Sequence, residues 1–113
     1  MNEKNTVHLK NVAPKLLAQL DYIECGDGWF DLLLNLCKDL ERYIVQEKLK
    51  DVFATDIKEK YGTLRFYMSC FSVEMDTLID KAEAVSEVTC EVCGKPGKDT
   101  GGTWARVRCG ECR

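Results

Sequence analysis

Four cysteines near the end of the chain constrain its fold more than any other feature. Cys90 and Cys93 form one C-x-x-C pair, Cys109 and Cys112 form a second, and fifteen residues separate the pairs. Each pair can present two thiolates on one side of a tight turn. Two such turns facing each other make a tetrahedral sulfur site that suits Zn2+. We therefore predict one structural zinc ion held by these four side chains.

Two alternatives to zinc are a pair of disulfides and a thioredoxin-like redox site. Disulfides need an oxidising compartment, and nothing in the sequence indicates one. A redox site would need one C-x-x-C pair after a strand in a βαβ unit, whereas this chain has two pairs close together near its end.

Gly94 and Gly110, beside and inside the two pairs, are expected to let the backbone turn around the ion without a Cβ clash.

Composition limits the class of protein. The chain has 113 residues, of which 45% are hydrophobic and 31% charged, with a net charge of −3. This net charge argues against general nucleic-acid binding. The polar N-terminal residues and the short apolar runs predict a cytoplasmic protein with no signal peptide and no membrane span. We expect a helical and hairpin domain over residues 1–87 and a zinc-binding module over residues 88–113.

Apolar periodicity predicts three helices. The first covers about residues 14–22, with Pro14 at its first position. The second covers about residues 29–50 and is capped by Asp27, and the third covers about residues 73–87 and is capped by Ser72. The expected buried faces carry Leu16, Leu17, Leu20 and Ile23, then Trp29, Phe30, Leu33, Leu36, Cys37, Leu40, Tyr43, Ile44 and Val45, then Met75, Leu78, Ile79, Ala82 and Val85. Cys25 and Cys70, like Cys37, are expected to be small buried hydrophobic residues.

Between the second and third helices the period changes to two, which predicts a β-hairpin. A type II′ turn at Gly62-Thr63 would pair Tyr61 with Leu64 and Lys58 with Tyr67. One face of this hairpin is apolar apart from Glu59 and is expected to pack on the helices; its apolar residues are Ile57, Tyr61, Leu64, Phe66 and Met68.

The opposite face of the hairpin carries Lys58, Lys60, Arg65 and Tyr67. Three cations and an aromatic ring can bind phosphate or an acidic protein surface. The alternative is a solvated face whose lysines discourage strand-to-strand aggregation. We predict that this surface binds a partner, with Trp104 as a second candidate.

Trp104 lies in the segment between the two cysteine pairs. Gly101-Gly102 predicts a turn there and residues 103–108 a strand. In so small a hairpin Trp104 either docks on the helical domain or anchors a partner.

Catalysis has little support in the sequence. His8 is the only histidine, and it lies in a polar segment where solvation is expected. Glu59 is the one candidate general base, but the favoured interpretation is a sheet-edge position or a lysine partner, because burying a lone charge is costly. Four cysteines would fill every position around the metal, so the predicted role of the zinc is structural.

Three stretches together resemble a family of small uncharacterised proteins encoded by bacteria and their phages. They are Gly28-Trp29, the run IKEKYGTLRFY over residues 57–67, and the two cysteine pairs with Gly102 and Trp104 between them. Members often end the second pair with Cys-x-x-His, where this chain has Cys112. The resemblance implies no known activity. If the gene is phage-borne, the resemblance implies an inhibitor or modulator of host machinery, including defence systems, because small acidic phage proteins often act in this way.

The sequence thus predicts an α+β fold in which helices pack on a hairpin and a four-cysteine zinc ribbon follows. The expected function is non-enzymatic binding to a bacterial or host protein. Nucleic-acid binding through the same hairpin face is the alternative, and a hydrolase or nuclease comes last.

Overall fold

A computed structural model of the protein describes residues 1–99 and 106–112. Within these residues the fold is α+β, with three α-helices, an antiparallel hairpin and a cluster of four cysteines. The predicted fold class is confirmed. The elements are α1 (Glu3–Val12), α2 (Phe30–Gln46), β1 (Ala54–Lys60), β2 (Thr63–Met68), α3 (Val73–Ser86), β3 (Lys98–Asp99) and β4 (Val107–Arg108).

The position of the first helix was predicted wrongly. The helix is α1, capped by the Asn2 side chain, whereas residues 14–19 form turns and residues 20–22 are irregular. Tertiary hydrogen bonds occupy backbone groups that a helix over these residues would need for its own hydrogen bonds. The amide of Leu16 donates to Glu41 Oε1 (2.9 Å), and its carbonyl accepts from the Ala54 amide (2.8 Å). Leu16 is nevertheless fully buried, so the apolar spacing predicted burial correctly and helix incorrectly.

The central helix α2 differs from the prediction at both ends. A single 3-10 turn (Asp27–Trp29) precedes it, and no side chain caps it. Asp27 instead accepts hydrogen bonds from Asn2 N (2.8 Å) and Asn5 Nδ2 (3.2 Å), so it holds the start of α1. The helix ends at Gln46 because the chain then turns sharply, with Lys48 at a φ of 53°. By contrast α3 agrees closely with the prediction and begins with Ser72 as its cap.

The hairpin forms as predicted but with a different turn and register. Tyr61 and Gly62 have φ values of 55° and 82°, which makes the turn type I′. Lys58 therefore pairs with Arg65 and not with Tyr67. Tyr61 lies in the turn and is 71% exposed, so its predicted place on the apolar face is wrong.

Both edges of the hairpin are covered. Glu24 forms a parallel bridge with β1, and its backbone exchanges two hydrogen bonds with that strand. On β2, the amides of Leu64 and Phe66 donate to Ser86 Oγ (2.9 Å) and Glu83 Oε2 (3.2 Å) of α3. Side chains of a helix thus satisfy the backbone groups that an open sheet edge would expose.

The core lies between the helices and the inner face of the hairpin. Its central residues are Leu9, Leu16, Leu17, Leu33, Leu36, Leu40, Ile44, Ile57, Leu64, Phe66, Met75 and Ile79. Val45 and Val85, predicted to be buried, are 49% and 43% exposed because they lie at the margins of their helical faces. Cys25 and Cys37 are buried as predicted, whereas Cys70 is exposed. Among the described residues, every helix is too short or too polar to cross a bilayer.

Candidate metal centre

The four predicted ligands come together at one place. The sulfur atoms of Cys90, Cys93, Cys109 and Cys112 all lie within 4.8 Å of one another, and those of Cys93 and Cys109 are 3.5 Å apart. A zinc ion bound to four sulfurs at about 2.3 Å sets the edges of the tetrahedron at about 3.8 Å. All seven cysteines are free thiols, so disulfides do not form the cluster. These side chains could therefore hold a metal ion.

Backbone turns aim the first pair of sulfurs at a common point. The Gly94 amide donates to the Cys90 carbonyl (2.9 Å), and the Cys90 amide donates to the Lys95 carbonyl (2.8 Å). Gly94 has a φ of 83°, a conformation that favours glycine. The prediction is wrong for Gly110, because a Cβ built there meets no atom within 4 Å.

The thiols of the cluster differ in their tendency to ionise. Burial disfavours the Cys90 thiolate, but the backbone amides of Cys93, Cys109 and Val92 outweigh burial and lower its pKa to about 6. At Cys112 the hydrogen bond with the Cys109 side chain is the largest of several effects that raise the pKa to about 12. Four adjacent thiolates repel one another, and a divalent cation would offset that repulsion.

Two ion pairs flank the cluster, and they differ in burial. Lys95 Nζ lies 3.0 Å from Glu111 Oε2 at the surface. Glu111 and then the ligand sulfurs raise the pKa of Lys95. Arg108 Nη1 lies 3.0 Å from Glu91 Oε1, and both side chains are only 13% exposed. The second pair is therefore part of the interior, where a charge must be matched by its partner.

The cysteine cluster packs against a segment that we name the glycine corner, residues 23–29. The Gly26 amide donates to Glu91 Oε2 (3.0 Å), and the Gly28 amide donates to the Glu91 carbonyl (2.8 Å). A Cβ on Gly28 would lie 2.2 Å from the Cys90 carbonyl oxygen. The two glycines are needed because the backbones approach so closely.

Trp29 completes this contact. Its side chain is fully buried, and its indole Nε1 donates to the Thr89 carbonyl at 2.9 Å. The tryptophan that anchors the described part of the cysteine module to the rest of the chain is thus Trp29. Trp104, like the turn at Gly101-Gly102 and residues 103–105 of the predicted strand, lies outside the described residues.

The structure places the predicted partner-binding residues around the outer face of the hairpin. Lys58 and Arg65 pair across the strands, and Tyr67 is 42% exposed. The Lys58 ammonium lies 5.9 Å from the centroid of the Tyr67 ring. Lys60, at the end of β1, lies instead over Tyr61, 5.5 Å from its ring centroid.

The two catalytic candidates have other surroundings. Glu59 Oε2 accepts a hydrogen bond from the Gly62 amide at 2.8 Å, so its carboxylate stabilises the turn and does not pair with a lysine. His8 is exposed on α1, with its ring edge against Phe30 at 5.4 Å between centroids. Neither residue lies in the cysteine cluster.

Sequence reasoning missed Glu91 and Arg108, the pair that joins the cluster to its surroundings. Each stands next to a ligand cysteine in the sequence, Glu91 after Cys90 and Arg108 before Cys109. One signal was present: glycines on either side of Asp27, directly before a long helix, are typical of a place where another backbone approaches closely. The sequence does not say which backbone it is.

No protein-family model, curated protein or solved structure matches this chain.

Proposed function

We propose that this chain is a zinc-stabilised, non-enzymatic protein that binds an acidic surface of another protein through its hairpin. We define the hairpin face as Lys58, Lys60, Arg65 and Tyr67. The proposed partner is a protein of the bacterial or phage-infected cell. This identity follows the sequence resemblance and makes the chain an inhibitor or modulator of host machinery.

Zinc is the proposed metal because the four ligands are all cysteine sulfurs. Thiolates favour soft or borderline metals, and tetrahedral four-sulfur sites are typical of structural zinc. Four protein ligands leave no open position for a substrate. The proposed role of the ion is therefore to hold the module together, which agrees with a non-enzymatic function.

The observation that carries the binding proposal is the covering of both hairpin edges. Lysines on a sheet commonly prevent edge-to-edge aggregation. Here Glu24 covers part of the β1 edge, and Ser86 and Glu83 occupy amides along the β2 edge. Because backbone groups at both edges already have partners, lysines are less needed to prevent edge-to-edge aggregation. We therefore assign the cations of the hairpin face a binding role.

The cations of the hairpin face are only partly neutralised within the chain. Lys58 Nζ lies 3.2 Å from Asp56, and this contact raises the pKa of Lys58. Lys60 and Arg65 form no ion pair with any described residue. Arginine and tyrosine are enriched at the centres of protein interfaces. Their presence beside unpaired positive charge favours an acidic protein surface as the ligand.

Two carboxylates near the hairpin face make nucleic acid the less favoured ligand. Asp56 pairs with Lys58, and Glu24 bridges to Lys58 in register, so its side chain lies on the same side of the sheet. Both carboxylates repel phosphate, which a nucleic-acid backbone presents at every nucleotide, whereas an acidic protein surface can place its carboxylates against the cations alone. Nucleic-acid binding remains the alternative, and it predicts an affinity that falls steeply with salt.

The test is a pull-down from bacterial lysate with the zinc-loaded protein, followed by affinity measurement with each captured protein. The Lys58/Lys60/Arg65 triple-alanine variant should lose at least about tenfold in affinity and keep the wild-type melting temperature. The matched control removes the same charge elsewhere by replacing the exposed Lys38, Lys50 and Lys81 with alanine. A partner that binds all three proteins equally contradicts the proposal. Capture of nucleic acid that salt releases supports the alternative.

A further inference from the structure

We propose that Glu91 transmits the closure of the cysteine cluster around its metal to the sheet that carries the hairpin face. The residue lies between two metal ligands, one position after Cys90 and two before Cys93. This inference rests on metal binding by the cluster, as proposed above, and does not depend on the identity of any partner.

Glu91 makes four polar contacts in three directions. Its Oε2 and its carbonyl accept from the amides of Gly26 (3.0 Å) and Gly28 (2.8 Å). Its Oε1 accepts from Arg108 Nη1 at 3.0 Å, and its amide donates to the Val107 carbonyl at 3.1 Å. One residue therefore joins the first cysteine pair, the strand that leads into the second pair, and the glycine corner.

Metal binding would support this arrangement because Arg108 directly precedes a ligand. Cys90 and Cys109 are the immediate neighbours of Glu91 and Arg108. Drawing the two cysteine pairs around one ion brings the carboxylate and the guanidinium together in a buried place. A buried ion pair is favourable only when its geometry is well fixed, and the metal supplies that constraint.

The glycine corner continues into the sheet. Two residues before Gly26, the Glu24 amide donates to the Ile57 carbonyl (2.9 Å), and the Glu59 amide donates to the Glu24 carbonyl (3.0 Å). Glu24 thus forms a one-residue parallel bridge to β1. If Glu91 releases Gly26 and Gly28, this bridge loses its anchor on one side, and the Glu59 amide becomes open to exchange with solvent.

The test is residue-resolved amide hydrogen exchange on the full chain, with bound zinc measured for every sample. Glu91→Ala removes the side-chain bonds to Gly26 and Arg108. With zinc bound, it should raise the exchange rates of the Gly26 and Glu59 amides by about tenfold or more, as expected for loss of a charged hydrogen-bond acceptor. Glu111→Ala is the matched control. It also lies between two ligands, but its ion pair is at the surface, so it should leave both rates within about twofold of wild type.

Removing the metal from the wild-type protein gives a second measurement that needs no variant. A chelator should raise exchange at Gly26, Gly28 and Glu59 while the amides of α3 stay protected. Wild-type protection at Gly26 and Glu59 in zinc-loaded Glu91→Ala would overturn the proposal. So would unchanged protection of the glycine corner after chelation, or loss of protection throughout the chain including α3. If the purified protein binds no metal, the zinc proposal itself fails, and the metal measurement reports this separately.

Discussion

Replacing Gly28 with alanine tests whether the cysteine module rests on the glycine corner. A Cβ at residue 28 would lie 2.2 Å from the Cys90 carbonyl oxygen and 2.6 Å from that of Glu91. Both are backbone atoms, so no side-chain rotation relieves the clash. The first cysteine turn would have to retreat by about 1 Å to restore ordinary van der Waals contact.

The cost of this retreat follows from the contacts that it breaks. Three hydrogen bonds cross the contact, from the amides of Gly26 and Gly28 to Glu91 and from the Trp29 indole to the Thr89 carbonyl. At about 1 kcal/mol each, their loss lowers the free energy of unfolding by about 3 kcal/mol. For a chain of this size the melting temperature should fall by about 12 °C.

The measurement is urea unfolding of the zinc-loaded protein, supported by a thermal melt. Gly110→Ala is the control, because it places a Cβ in open space within the second cysteine pair. It should change the unfolding free energy by less than about 0.5 kcal/mol. If Gly28→Ala unfolds within about 1 kcal/mol of wild type and binds zinc as tightly, the module does not depend on this contact.

Three further changes test the cluster and the sheet edge. Cys93→Ser should weaken zinc binding by more than about tenfold in a chelator competition, whereas Cys70→Ser, outside the cluster, should leave it unchanged; equal effects would contradict the ligand assignment. Ser86→Ala should lower the free energy of unfolding by about 1 to 3 kcal/mol in urea, because the buried Leu64 amide loses its acceptor; no measurable loss would contradict this role of Ser86. Burial raises the pKa of the Glu83 carboxyl above its ordinary value of 4.5. The folded chain therefore binds the carboxyl proton more tightly than the unfolded chain, and the contribution of Glu83 to the free energy of unfolding falls as pH rises through and above that value. Glu83→Gln should remove this decline from a plot of unfolding free energy against pH, and an unchanged slope would contradict it.

The sequence predicted local features well where one local signal acts alone. The cysteine spacing placed four ligands in one cluster, and Ser72 marked the start of α3. The Ser72 cap bonds to an amide only three residues away. The cysteines come together because all four are suited to bind the same ion. Apolar periodicity likewise identified most of the buried face of α2.

The errors arose where tertiary contacts compete with local preference. Residues 14–22 have a helical apolar pattern, but Glu41 and β1 take up the Leu16 backbone groups. The hairpin register depended on whether Gly62 is the first or second residue of its turn. A tyrosine at positive φ decided this, and such a conformation is uncommon for an aromatic residue. Asp27 had the right chemistry for a cap, but it acts on α1, which is distant in sequence.

The Glu91–Arg108 pair could not be predicted, because its meaning depends on burial. In the sequence, both residues are ordinary charged neighbours of cysteines. Only the packing of the cluster against Gly26 and Gly28 makes them an interior pair with 13% exposure each.

The long sequence separation between the glycine corner and Glu91 affects how the chain folds during its synthesis on the ribosome. Glu91 follows Gly26 by 65 residues, which corresponds to roughly 3 to 13 s at usual rates of synthesis. During that interval the Trp29 indole lacks its acceptor, the Thr89 carbonyl, and the cysteine module that packs beside it. We expect a nascent chain made under zinc starvation to present this aromatic surface to chaperones and proteases for longer, so the supply of the ion during translation would set how much protein accumulates.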